Sequence, residues 1–210
     1  MRPPLRALTV AASALVLLCA LVAARTPPLM RLDAAVSSAA GRFAAAHGWW
    51  RTAMTAVTHT ADPGVAQTLL AVAVVALAVT RRRRLAAFAA AAALFGTGVR
   101  LALLHLIARP RPEHRLVASA GFAFPSGHTT SSALAAGVLV VLAVTLLRPG
   151  PWRRLAVVAA VAWTGLVGVS RVALLAHWPT DVLGGWLLAA TVVMALYVAL
   201  RAVDERDQKE

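Results

Sequence analysis

The sequence has very little cysteine and very little negative charge. Its one cysteine, Cys19, excludes an intrachain disulfide and lies in an apolar run, where a buried thiol is the expected state. The chain holds 8 acidic residues against 21 basic ones. A magnesium site needs several carboxylates close together, and the acids of the central chain stand far apart: Asp62, Glu113 and Asp181. We therefore expect no metal and no other cofactor.

Apolar residues and positive charge are in excess. Hydrophobic residues make up 60% of the 210 residues, with a mean hydropathy of +0.75, whereas a soluble domain is usually about 45–50% apolar. The excess lies in long blocks, which indicates a membrane protein. A formal charge of +13 suggests nucleic acid binding in a soluble protein, but most basic residues here flank the apolar blocks. We expect the bilayer and an anionic lipid as partners, and no nucleic acid.

Six apolar runs are long enough to cross a bilayer, since about 20 helical residues span its hydrocarbon core. We predict one all-α domain over residues 1–210, with spans at residues 7–24, 65–80, 85–108, 129–147, 155–170 and 182–200. The first run also fits a cleaved signal peptide, but a retained helix is favoured because further membrane helices follow it. Residues 25–63 are predicted to lie on the membrane surface, and residues 201–210 to form a charged cytoplasmic tail.

The basic residues also predict the orientation of the spans. With a cytoplasmic N-terminus, the basic turns at 81–84 and 148–154 and the C-terminus also lie in the cytoplasm, and that side holds 12 of the 21 basic residues. The run at 81–84 is then a topology signal, with a nucleic-acid role as the weaker alternative. The segments 109–128 and 171–181 face away from the cytoplasm, and the expected location is the cell (plasma) membrane.

Those two outer segments hold polar residues that a plain helical bundle does not need. Polar groups at a membrane are costly, so they are candidates for function. One pattern is Arg109-Pro110-Arg111-Pro112, in which stiff prolines can hold guanidinium forks in place for phosphate oxygens. Alone, this pattern is equally compatible with a basic loop that touches lipid headgroups.

Two further patterns carry histidine. Pro125-Ser126-Gly127-His128 precedes a helix, whose N-terminal amides bind anions, although a turn with a helix cap explains it equally well. In the other pattern, Ser170-Arg171 is followed by His177 and Asp181, and the carboxylate can hold the imidazole Nδ1–H and leave Nε2 as a nucleophile. Together the three patterns supply the groups that phosphoryl transfer needs.

These patterns resemble the type 2 phosphatidate phosphatase superfamily, which includes lipid phosphate phosphatases, bacterial undecaprenyl-diphosphate phosphatases and vanadium haloperoxidases. The family pattern is Lys, six residues, Arg-Pro; then Pro-Ser-Gly-His; then Ser-Arg, five residues, His, three residues, Asp. The second and third parts are complete here, and the resemblance covers residues 85–200. The first part is partial, because Leu104 stands in the lysine position. Arg100, four residues earlier on the same helix face, either replaces the lysine or is a snorkelling arginine, and the two are weighed equally.

The resemblance implies a role for each matching residue. His177 attacks phosphorus and becomes phosphohistidine, Asp181 orients it, and His128 protonates the leaving oxygen and then activates water. The phosphoryl oxygens are bound by Arg111, Arg171, Ser126, Gly127 and, in place of the lysine, Arg100.

The expected activity is hydrolysis of a lipid phosphate monoester or diphosphate, without a metal. Phosphatidate, phosphatidylglycerol phosphate and polyprenyl diphosphate fit the sequence equally well. A vanadate-dependent oxidant shares the pocket, although those proteins are soluble. A membrane scaffold or transporter with a degenerate site is the other alternative, suggested by the missing lysine. The sequence predicts no oligomeric state.

Overall fold

Helices make up most of the computed structural model, which describes residues 3–207, without the side chains of residues 3, 204, 206 and 207. This part of the chain forms eight helices and no strand: α1 Pro3–Ala23, α2 Pro27–Ala46, α3 Gly48–His59, α4 Pro63–Val79, α5 Arg83–Ile107, α6 Gly127–Leu146, α7 Pro151–Ala173 and α8 Pro179–Asp207. Six helical stretches have the length and composition to cross a membrane. The prediction of an all-α protein with six membrane-spanning helices is therefore confirmed.

Most observed helix ends lie within a few residues of the predicted ones. The two last spans begin earlier than predicted, at Pro151 and Pro179. Proline is well tolerated in the first turn of a helix, because its missing N–H would have no partner there. The last helix also continues to Asp207, so the predicted charged tail is helical up to that residue, while residues 208–210 lie outside the described part.

The segment 25–63 forms two helices that pack onto the bundle. Helix α2 contacts α7 and α8, and α3 contacts α7. Helix α3 meets α4 at a corner over residues 60–62, and the stretch Gly48–Val79 is one of the six that are long and apolar enough to cross a membrane. The segment also buries polar side chains against the bundle, at Asp33, Ser37 and Thr58. Its placement on the membrane surface stays a prediction, but the structure adds a contact with the rest of the fold.

Helix α6 is the central element of the bundle, since it contacts α4, α5, α7 and α8. Its apolar side chains Leu134 and Val138 belong to the main core cluster together with Phe88. The polar first turn of α6 is also buried, and its hydroxyls find partners nearby. Thr130 Oγ1 donates to the carbonyl oxygen of Ser126 at 2.8 Å, and Ser132 Oγ donates to that of Thr129 at 3.1 Å.

Two glycines near the start of α8 let this helix approach the beginning of α6. A Cβ atom at Gly184 would lie 2.5 Å from the ring of Phe124, and one at Gly185 would lie 3.1 Å from the backbone nitrogen of Thr130. Small residues allow such close helix contacts in membrane proteins. The close approach places the first turns of α6 and α8 side by side.

Gly184→Ala is expected to destabilise the protein by about 1–3 kcal/mol, because the Phe124 ring is fully buried and has no room to move aside. Gly98→Ala is the matched control, since Gly98 also lies within a helix and a Cβ atom there meets nothing within 4 Å. Thermal unfolding of the detergent-purified variants measures the difference. Equal melting temperatures for the two variants would contradict the tight packing at Gly184.

Candidate active site

The residues of the three sequence patterns meet at one end of the bundle, where α5 and α7 end and α6 and α8 begin. The backbone N–H of Ser126 donates to the carbonyl oxygen of Asp181 at 3.0 Å, which joins the second pattern to the third. Arg111 Nη1 donates to the carbonyl oxygen of Ala176 at 2.8 Å, which joins the first pattern to the third. The structure thus brings together segments that are far apart in the sequence.

His177 lies at the centre of this cluster and is only 1% exposed. Its Nδ1 faces Asp181 Oδ2 at 3.5 Å, a contact too long to form a hydrogen bond here. Its Nε2 is 2.9 Å from Arg111 Nη1. Since a guanidinium can only donate, Nε2 is the unprotonated nitrogen and Nδ1 carries the proton towards Asp181.

The neutral form of His177 is favoured. Its pKa is lowered to about 4, chiefly because burial disfavours the charged imidazolium; Asp181 opposes the shift, and Arg111 and Arg171 add to it. At neutral pH the imidazole is therefore uncharged, with a lone pair on Nε2. This is the protonation state that a nucleophilic histidine needs.

Asp181 is fully buried and is held at both carboxylate oxygens. The backbone N–H of Trp178 donates to Oδ2 at 2.8 Å, and Arg109 Nη1 donates to Oδ1 at 2.7 Å. The other end of the Arg109 guanidinium, Nη2, donates to Asp33 Oδ2 at 2.6 Å. Asp33 is also buried, and its Oδ1 accepts the backbone N–H of Thr180 at 3.0 Å.

Arg109 does not act as the phosphate fork that the first pattern suggests. Its side chain is 7% exposed and lies between the two buried carboxylates of Asp33 and Asp181. A buried guanidinium needs counter-charges, and these two are the ones within reach. The sequence gives no sign of this arrangement, because Asp33 is 76 residues away from Arg109.

Arg111 lies next to His177, and its predicted contact with phosphate stays a prediction. Its Nε donates to the carbonyl oxygen of Gly121 at 3.0 Å, where the positive φ of 69° favours glycine. Burial lowers the pKa of Arg111, Asp181 raises it, and the neighbouring charges of Arg115 and Arg100 lower it further.

Arg100 reaches the start of α6, one turn before the vacant lysine position. A Cβ atom at Gly127 would lie 2.8 Å from Arg100 Nη2 and 3.0 Å from Cζ, so glycine is needed for the guanidinium to approach the backbone this closely. The Nε atoms of both Arg100 and Arg171 are buried and have no hydrogen-bond partner within the described residues. Buried N–H groups normally have a partner, and an oxyanion is a suitable one.

Ser126 is fully buried and caps α6. Its Oγ accepts from the backbone N–H of Thr129 at 3.5 Å and from Thr129 Oγ1 at 3.0 Å. Both contacts use Ser126 Oγ as an acceptor, so its own hydroxyl hydrogen is still available to donate. Its contact with phosphate stays a prediction.

Three polar residues in residues 25–63 also reach the site, and the sequence did not reveal them. Asp62 Oδ1 lies 2.9 Å from His128 Nε2, and Thr58 Oγ1 accepts from Arg171 Nη1 at 2.6 Å. The third is Asp33, which holds Arg109. Asp62 is 66 residues from its partner and Thr58 is 113 residues from its partner. Nothing in the local sequence marks such contacts.

Carboxylates, histidines and cysteines do not gather into a group of three that could hold a metal ion within residues 3–207. Asp181 is occupied by Arg109 and Trp178, and Asp62 by His128. The polar groups that line the site are guanidiniums and imidazoles. This donor set suits an anion rather than a divalent cation.

Several known proteins are similar to this chain. Phosphatidylglycerophosphatase B of Bacillus subtilis is 35% identical over 120 residues, which are 54% of this chain and 56% of that protein. Decaprenylphosphoryl-5-phosphoribose phosphatase of Mycobacterium tuberculosis is 33% identical over 122 residues, which are 56% of this chain and 62% of that protein. The chain thus matches less than two thirds of the length of these curated relatives.

Almost the whole chain is also similar to a solved structure, the crystal structure of a transmembrane PAP2-type phosphatidylglycerolphosphate phosphatase from Bacillus subtilis. The TM-score is 0.74 and the sequence identity 26%, over 98% of both chains. The family model of the PAP2 superfamily matches residues 83–204, which is more than half of the chain and includes all three sequence patterns. The chain therefore belongs to the PAP2 superfamily.

Proposed function

We propose that this protein is a membrane phosphatase that hydrolyses a lipid phosphate monoester or diphosphate through a phosphohistidine intermediate. The observation that carries the proposal is the surroundings of His177: a neutral imidazole, backed by Asp181, with guanidiniums close by. These guanidiniums belong to Arg111 and Arg171, and Arg100 approaches the start of α6 at Gly127. The relatives are named as phosphatases of lipid-linked phosphates, which supports the same class of reaction.

The geometry supports an in-line displacement on histidine. The phosphoryl group binds among the guanidiniums and the N-terminal amides of α6, which stabilise the charge on its oxygens. Arg111 Nη1 then donates to a phosphoryl oxygen instead of to His177, and the freed Nε2 lone pair attacks phosphorus. The bond to the leaving oxygen breaks, and His128 supplies the proton that this oxygen needs.

The second step releases phosphate. His128, now neutral, takes a proton from water, which attacks the phosphohistidine and restores His177. Asp181 is held in place throughout, because Arg109 and the N–H of Trp178 bind its two carboxylate oxygens. Its role is to fix the tautomer of His177 and to balance the positive charge that develops on it.

The two alternatives are less well supported. A vanadate-dependent oxidant of this family would be soluble, whereas six helical stretches of this chain are suited to a membrane. A degenerate scaffold was suggested by the missing lysine, but Arg100 brings a guanidinium to the same end of the bundle. The remaining groups of the family pattern are all present at the site.

We further propose that the catalytic end faces away from the cytoplasm of a cell membrane, because the short turns at the opposite end are basic. Position 118 lies in the loop beside the site. A cysteine introduced there, after Cys19 is replaced, should react with an impermeant thiol reagent in intact cells. Reaction only after permeabilisation would reverse the orientation.

The activity is expected to be independent of metal, because the described part of the chain has no carboxylate cluster that could hold one. Detergent-purified protein should release phosphate from at least one of phosphatidate, phosphatidylglycerol phosphate and polyprenyl diphosphate in excess chelator. Phosphate release measured across the three lipids also identifies the substrate class. Loss of all activity in chelator with recovery on adding magnesium, or no release from any of them, would contradict the proposal.

Arg100 is expected to bind the phosphoryl group in place of the missing lysine. A hydrogen bond to a charged group contributes about 1.5–3 kcal/mol, so Arg100→Ala should lower kcat/KM by about 10–100-fold. Gly127→Ala should have an effect in the same direction, because its Cβ atom displaces the guanidinium. Arg115→Ala is the control, since this arginine is exposed and its charge acts on Arg111, but among the described residues it does not contact His177. Unchanged kinetics in Arg100→Ala would leave that residue with a structural role only.

A further inference from the structure

The corner between α3 and α4 lies outside all three sequence patterns and outside the region that the family model matches, residues 83–204. It nevertheless contacts two residues of the site. Thr58 holds the Arg171 guanidinium at 2.6 Å, and Asp62 lies 2.9 Å from His128 Nε2. The contact with His128 is the more informative one, because it joins a carboxylate to the histidine that has no such partner in the three patterns.

Asp62 stands at a helix N-terminus, where capping of the helix would be the simplest role for its side chain. It is the N-cap residue of α4 and precedes Pro63, and an aspartate there normally accepts a backbone N–H of the first turn. Its side chain forms no capping hydrogen bond. The carboxylate turns instead towards two histidines, with Oδ1 on His128 and Oδ2 at 3.2 Å from His59 Nδ1. The contact with His128 therefore takes the place of a capping hydrogen bond, which typically contributes about 1 kcal/mol, and helix capping does not explain it.

The charges around His128 explain why a carboxylate is useful next to it. His128 must carry a proton to act as an acid, yet it stands at the start of α6 beside the guanidiniums that bind phosphate. Positive charges and a helix N-terminus both oppose a charged imidazolium there. A carboxylate at 2.9 Å favours the charged form and fixes the ring. Because Nε2 is used by Asp62, Nδ1 is the nitrogen that remains to exchange a proton with the substrate.

We propose that Asp62 is a positioning residue that orients His128 and stabilises its protonated form for leaving-group protonation, with His59 holding the second carboxylate oxygen. This inference rests on the proposed phosphatase function. In the step concerned, the bond from His177 Nε2 to phosphorus forms and the bond from phosphorus to the leaving oxygen breaks. The proton of His128 Nδ1 passes to that oxygen, and Asp62 remains ionised. The site then contains two His–Asp pairs, one for the nucleophile and one for the acid.

The test compares two substrates that differ only in the atom that leaves. One is the lipid phosphate that the wild-type protein hydrolyses, and the other has sulfur in place of the bridging oxygen. A thiol is far more acidic than an alcohol (the pKa of the cysteine thiol is about 8.5), so a thiolate leaves without a proton from the enzyme. General acid catalysis contributes about 10²–10⁴-fold. We expect Asp62→Asn to lower kcat/KM for the oxygen ester by about 10–100-fold, and that for the sulfur analogue by less than about threefold.

Asp62→Asn is expected to lower kcat/KM less than His128→Ala does, because the side chain of Asp62 is partly exposed to water. The side chain of Asp62 is 46% exposed and that of His128 is 19% exposed, so water partly replaces the carboxylate. His128→Ala should show the same selectivity for the oxygen ester. Adding Asp62→Asn to His128→Ala should then cause no further loss on the oxygen ester, since Asp62 acts through His128.

Thr60→Ala is the control for damage to the corner. Thr60 Oγ1 accepts from Trp163 Nε1 at 2.9 Å and donates to the carbonyl oxygen of Val57, so its hydrogen bonds within the described residues do not involve the site. For the Thr60→Ala variant, the ratio of kcat/KM between the oxygen ester and the sulfur analogue should equal that of the wild type. An equal loss on both substrates in Asp62→Asn, an additive loss in the double variant, or a gain in affinity showing that the carboxylate competes with phosphate would each overturn the proposal. Failure of the wild type to hydrolyse any lipid phosphate would instead remove the proposed function on which it rests.

Discussion

The rest of the site depends on the ion pairs that the buried guanidinium of Arg109 forms with two buried carboxylates. The guanidinium lies between Asp33 of α2 and Asp181 of α8, at 2.6 and 2.7 Å. Two carboxylates and a guanidinium are stable in a buried site only when each is paired, and removal of one partner from such a group typically costs about 3–5 kcal/mol. The network therefore holds α2 against α8 and leaves Asp181 a single orientation. That orientation places its second oxygen beside His177.

Whereas Arg109 is paired with carboxylates, the guanidiniums that are proposed to bind phosphate must stay without a carboxylate partner. Arg100, Arg111 and Arg171 are brought together at the start of α6 without a carboxylate bonded to any of them in the described part of the chain. Arg100 and Arg171 also bury an Nε–H that has no hydrogen-bond partner among the described residues. Such an arrangement is unfavourable for the empty protein and favourable once an oxyanion binds, and conflict of this kind is expected at functional sites. The acidic residues near the site, Asp33, Asp62 and Asp181, contact Arg109 or the two histidines and leave these three guanidiniums to the substrate.

Much of this fold could be predicted from sequence, because the bilayer imposes a simple rule on helix length and polarity. The spans and the family patterns follow from local runs of residues, and so does the position of Arg100 one turn from the vacant lysine site. Arg109 shows the limit of such reasoning. Beside Arg111 it resembles a second phosphate fork, but its role depends on Asp33, which is 76 residues distant. Asp62 and Thr58 were missed for the same reason, since contacts between distant segments depend on how helices pack.

The covalent step is the most direct test of the mechanism. Wild-type protein should be mixed with lipid phosphate labelled in the terminal phosphate, quenched rapidly at alkaline pH, and digested so that the labelled peptide can be sequenced. Phosphohistidine is labile in acid, so the alkaline quench preserves it. The label is expected on the peptide that contains His177, at position 177, and it should be absent from His177→Ala. Label on His128 of the wild type, or label retained by His177→Ala, would contradict the assignment of His177 as the nucleophile.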